Sequence, residues 1–120
     1  MFRFPVNAVI AFLSLELRIE GACSLKDKRQ VLRSLKDRLR VRFNVSVAEL
    51  DPTDLWQRAT LGVVAISSSK DYLRGLMENV ERAATLIANN AGADLTDSLL
   101  EYFSESPEDA VTLLSGPGKE

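Results

Sequence analysis

The stretch LSLELRIEGACSLKDKRQVLRSLKDRLRVRF, Leu13 to Phe43, changes its hydrophobic period partway along. Leu13, Leu15, Leu17 and Ile19 alternate with Ser14, Glu16 and Arg18, the pattern of a half-buried strand. The strand is expected to begin near Val6 or Asn7, with Gly21 and Ala22 turning the chain. From Ser24 onward the apolar period becomes helical. Leu25, Leu32, Leu35, Leu39 and Phe43 fall within about 80° of one another at 100° per residue. Ser24-Leu25-Lys26-Asp27 fits a capping box, with a hydroxyl to receive a free amide and an acid three residues on.

The rest of the chain repeats the grammar. Val45–Leu50 (VSVAEL) is predicted as a second strand, Asp51-Pro52-Thr53-Asp54 as a turn, and Trp56–Ser67 as a third strand. In that strand Ala59, Leu61, Val63 and Ala65 share one face. Trp56, Arg58, Thr60, Val64 and Ile66 share the other. Gly62 is expected to admit a close helix. Ser68-Ser69-Lys70-Asp71 reads as another capping box, opening a helix to about Asn89 with Leu73, Leu76, Met77, Val80, Ala84 and Ile87 inward. Asn89-Asn90-Ala91-Gly92 is the stop signal. Asp94–Phe103 has helical spacing as well as strand character. It is read as an edge strand whose Leu95, Leu99 and Phe103 share a face with Asp97 and Glu101.

The order β-α-β-β-α-β, with one apolar stripe per helix, predicts an α+β, ferredoxin-like fold: an antiparallel sheet with both helices on one face. The other face is left for solvent or a partner and would carry Phe12, Ser14, Glu16, Arg18, Trp56, Arg58, Val64 and Ile66. Residues 1–104 are read as a single domain and 105–120 as an acidic, mobile tail.

Composition narrows the chemistry. The 120 residues include no histidine and a single cysteine, so a histidine-based triad, an intrachain disulfide and a cysteine metal cluster are excluded. Cys23, beside a helix start, has no resolving partner for redox work. Glu49, Asp51 and Asp54 are too few for a metal loop and read as turn chemistry. Gly-rich phosphate loops and nucleophile elbows are absent. Neither catalytic residues, a metal nor a cofactor is expected. The apolar stretch Val6–Leu15 is too short to span a bilayer and lacks a signal-peptide cleavage pattern, so a cytoplasmic protein with no membrane partner is expected.

The formal charge of −2 conceals an asymmetry. Residues 1–82 hold 14 of 15 basic and 10 of 17 acidic residues, a net +4, and the remainder is −6. Ser24–Arg42 alone carries 8 cations against Asp27 and Asp37. Lys26, Arg29, Arg33, Lys36 and Arg40 lie within an arc of about 80°, with Asp37 at its border, on a ridge about 21 Å long. Such a ridge can neutralise successive phosphates, which gives affinity without reading sequence. Arg42, and Arg58 on the open sheet, extend it. The competing readings are a solvated helix face and a contact for an acidic protein surface. Trp56 reads as a packing or self-association residue like Phe12, with base stacking as the alternative. The aromatic pattern of an RNA-recognition motif is missing, since Thr60, Gly62 and Val64 stand where stacking rings are needed.

Three motifs, Ser24–Arg29 (SLKDKR), Ser34–Leu50 (SLKDRLRVRFNVSVAEL) and Asp54–Val63 (DLWQRATLGV), resemble the YlxP-like family of small bacterial proteins, a domain of unknown function. The resemblance spans residues 8–103; Met1–Pro5 and the acidic tail depart from the pattern. It implies a ferredoxin-like fold and a cytoplasmic bacterial protein encoded beside translation-initiation and ribosome-maturation genes, with no established catalytic activity. Lys26, Lys28, Arg29, Lys36, Arg38, Arg40, Arg42, Trp56, Gln57 and Arg58 coincide with the family pattern. The expectation is therefore a non-enzymatic accessory protein binding RNA or ribosomal particles through the first helix. The alternative is a homodimeric interaction module using the open sheet face.

Overall fold

Strand β1 (Val9–Ile19) puts Ala11, Leu13, Leu15, Leu17 and Ile19 into the core, as its period of two dictates. The computed structural model describes residues 7–50 and 55–104. Helix α1 (Leu25–Arg42) follows, then β2 (Ser46–Glu49), β3 (Arg58–Ser67), α2 (Lys70–Asn90) and β4 (Ala93–Ser104). The strands form one antiparallel sheet in the order β2-β3-β1-β4, and both helices bury their stripes on the same face. This is the predicted ferredoxin-like arrangement. The leader, the Asp51–Asp54 turn and the 105–120 tail lie outside the described residues.

Both helix starts are capped. Ser24 Oγ accepts from the Asp27 amide at 3.2 Å, while Asp27 Oδ2 accepts from the amide of Cys23, not that of Ser24, at 2.9 Å. At α2 the capping residue is Ser69, which accepts from the Tyr72 amide at 3.1 Å; Ser68 is one residue too early. Gly92, with φ +83°, takes the left-handed turn after α2, a conformation that costs glycine little.

Three expectations change. The third strand starts at Arg58, so Trp56 lies in the approach to it and is 49% exposed. Gly62 does not admit a helix. A Cβ there would come within 2.6 Å of Leu50 Cδ1 and 3.0 Å of the Phe12 ring, both on the open face. β4 is a strand, but a bulge breaks its alternation: Asp97 pairs with Glu16 and Leu95 with Leu17, leaving Thr96 as the extra residue. Leu95 therefore packs on the core with Leu100 and Tyr102, while Leu99 and Phe103 pair with Ser14 and Ile10 on the open face. Of the five residues expected to share a face only Leu95 leaves it; Asp97, Leu99, Glu101 and Phe103 stay together on the open face.

The open face divides lengthwise. One half carries Ile10, Phe12, Leu50, Val64, Ile66, Leu99 and Phe103, with Glu101 opposite Phe12. The other half carries Glu16, Arg18, Arg58, Thr60 and Asp97.

Candidate nucleic-acid interface

The helical stripe that buries Leu32, Leu35 and Leu39 fixes the azimuth of every cation on α1. The predicted arc runs beside edge strand β2. Lys26, Arg29 and Arg33 are exposed along it, and among the described residues none has a carboxylate within salt-bridge distance. The expectation of an arc without counter-charge fails farther along. Lys36 Nζ lies 2.9 Å from Glu49 of β2. Arg40 donates to the Val47 carbonyl at 2.7 Å and sits 4.0 Å from Asp37. These two residues fasten α1 to the sheet edge. No helical projection reveals this, because β2 becomes a neighbour only on folding. Arg42 lies over the Phe43 ring, 5.2 Å from its centroid, and Arg58 is on the opposite face of the sheet.

Lys28 stands outside the predicted row. It is 4% exposed and its ammonium donates to the Leu55 carbonyl at 2.7 Å. The signal was present: Lys28 falls at about 200° on the wheel that places Lys26 at zero, inside the apolar arc. Its contact joins two of the recognised motifs, holding the approach to β3 against the first turn of α1. The Gln57 carbonyl accepts from the Ile19 amide at 2.8 Å on the other side of Trp56. Phe12 is half-buried within the apolar half of the open face.

Among the described residues no cluster of acids, histidines or cysteines could hold a metal, and no helix is long and apolar enough to cross a membrane. Cys23 is exposed, with Sγ 3.6 Å from the Gly21 carbonyl.

A two-layer domain of ferredoxin-like topology, with a row of exposed cations on its first helix, is thus the class to which the molecule belongs. Residues 10–99 match the family model described as a protein of unknown function, DUF503, and the chain belongs to that family. It is 44% identical over 95 residues to an uncharacterized protein, YlxP, of Bacillus subtilis strain 168, covering 79% of this chain and 100% of that one. Neither description assigns a reaction. Solved structures are alike in fold alone. A dimeric ferredoxin-like protein of unknown function from Bacteroides fragilis has TM-score 0.55 at 14% identity, covering 85% of this chain and 99% of that one. A dinuclear metal-binding peptidase of the M20 family from Bacillus subtilis has TM-score 0.54 at 14% identity, with 87% of this chain matching 28% of that one.

Proposed function

We propose that this protein is a non-enzymatic, cytoplasmic accessory factor that binds RNA, free or within ribosomal particles, through Lys26, Arg29 and Arg33. The observation that carries this reading is their common exposure on one helix face with no carboxylate in reach among the described residues. Unpaired cations release phosphate counterions at no cost in broken ion pairs, whereas Lys36 and Arg40 would have to leave existing partners. Arg42, expected to extend the row, lies instead on the α2 side of the helix beside Ile87 and takes no part in it. With about three phosphates engaged, log affinity for a structured RNA falls with log salt at a slope of roughly −2 to −3. The test is a filter-binding titration across salt with the Lys26→Glu, Arg29→Glu, Arg33→Glu variant. It is expected to lose binding and to melt within about 1 kcal/mol of the parent, as surface substitutions do. Parental binding by that variant refutes the reading.

A second reading has its own observation. Ile66 is 66%, Leu50 52% and Val64 38% exposed on the apolar half of the sheet, beside Phe12 and Phe103. A contiguous apolar patch of this kind marks an interaction surface. A two-fold symmetric pairing of two such faces makes a homodimer with both α1 cation rows outward, so the two readings coexist. Sedimentation equilibrium decides this one: a monomer at tens of micromolar refutes it.

A further inference from the structure

We propose that Trp56, Gln57, Arg58 and Arg18 form a pocket for one unpaired nucleotide of single-stranded RNA, with the base on the indole and its phosphate on Arg58. This deepens the RNA reading and rests on it. It concerns the polar half of the open sheet face, on the side of the sheet away from the helical cation row.

The argument starts from Arg58. It stands directly opposite Arg18 in the β1–β3 ladder, and like charges in that position repel. Arg18 has compensation: its guanidinium lies 3.6 Å from Glu20 and 3.7 Å from Asp94. Arg58 has no carboxylate within salt-bridge distance among the described residues. Of the two guanidiniums, Arg58 is the one open to an incoming anion.

Three shallow depressions of the surface meet at Arg58. One depression of about 480 Å³ is lined by Glu16, Leu17, Arg18, Arg58, Thr96 and Asp97. A second of about 470 Å³ is lined by Arg18, Glu20, Gln57 and Arg58. The third, about 370 Å³, is lined by Leu55, Trp56, Gln57 and Arg58. Arg58 is common to all three, so an anion there has a neighbouring hollow with an aromatic wall.

Trp56 is displayed and held. It is 49% exposed, yet its neighbours are fixed by the Lys28 ammonium on the Leu55 carbonyl and the Ile19 amide on the Gln57 carbonyl. An exposed indole on a backbone pinned at both neighbours offers a stacking surface with less chain left to order on binding. Gln57 supplies an amide that both donates and accepts, suited to a base edge. The carboxylates of Glu16, Glu20 and Asp97 make the rim unsuited to a dense polyphosphate. They suit a ligand that brings hydroxyl and amino donors with a single phosphate. That combination is a nucleotide in a single strand.

Trp56 is the only tryptophan, so its emission reports the pocket directly. The experiment titrates the full chain into a ten-nucleotide single-stranded RNA of mixed sequence carrying a red dye, reading dye anisotropy and tryptophan emission together. Expected are a rise in anisotropy and a parallel quenching of at least about a third. Inorganic polyphosphate of equal charge should quench by under a tenth. Arg58→Ala and Trp56→Ala should each weaken binding at least about fivefold, the lower end for loss of one stacked base, with unchanged circular dichroism melts. Trp56→Phe, which keeps an aromatic face, should recover part of that loss. Rising anisotropy with unaltered emission, or Arg58→Ala binding like the parent, overturns the pocket and leaves the helical row standing. No rise in anisotropy at all overturns both.

Discussion

A lysine in the first turn of a helix is ordinarily a surface residue, with its ammonium in water. Lys28 departs from this because its azimuth belongs to the apolar stripe, so its stem is buried and its head must find an oxygen. The Leu55 carbonyl provides one. Lys28→Met keeps the stem and removes the donor. A cost of about 1.5–3 kcal/mol is expected in urea unfolding, the range for hydrogen bonds to charged groups. Trp56 emission should shift to the red as the approach to β3 loosens. Wheel geometry contained the position of Lys28 but not its acceptor, which arrives from 27 residues away. Lys36 and Arg40 failed to be readable for the same reason: their partners are on β2.

Elements were readable where one residue period held throughout. β1, α1 and α2 are legible with their buried faces because periods of two and 3.6 run through them, with Lys28 the one charged residue in the buried stripe of α1. Their ends are less legible, since a serine pair offers two registers for one cap. The structure selects Ser69, so Ser69→Ala is expected to cost about 1 kcal/mol, and Ser68→Ala less than about 0.5 kcal/mol. Thermal melts of the two variants separate them. Ser24→Ala should match Ser69→Ala. β4 resisted reading because one extra residue at Thr96 changes which face the odd positions occupy. No uniform period, of strand or helix, fits a segment that changes phase.

At the scale of the whole molecule, the charge split between residues 1–82 and the remainder pointed to one helix, and topology places that helix beside edge strand β2. The fold class followed from element order alone. The candidate site followed only in part, because exposure in sequence says nothing of which cations become paired. The open face makes its own prediction: if two chains pair through it, Ile66→Glu returns the protein to a monomer in sedimentation while leaving RNA affinity within about twofold. Burying that glutamate against a second apolar face without a partner costs several kcal/mol.

The bulge in β4 has a bearing on survival at high concentration. A sheet of this topology ends in two edges, and every edge can recruit a strand from another molecule. β2 is only four residues long and has Arg40 bound to its Val47 carbonyl. β4 is 12 residues long, enough to template a partner over its whole length, were it straight. Thr96 bends it, and Asp94, Asp97 and Glu101 charge it. Deleting Thr96 would leave Leu95 opposite Leu17 and Asp97 opposite Glu16 in a continuous ladder, so the domain should still fold. The price of that regularity is expected as turbidity on storage at concentrations where the parent stays clear, with light scattering as the measurement.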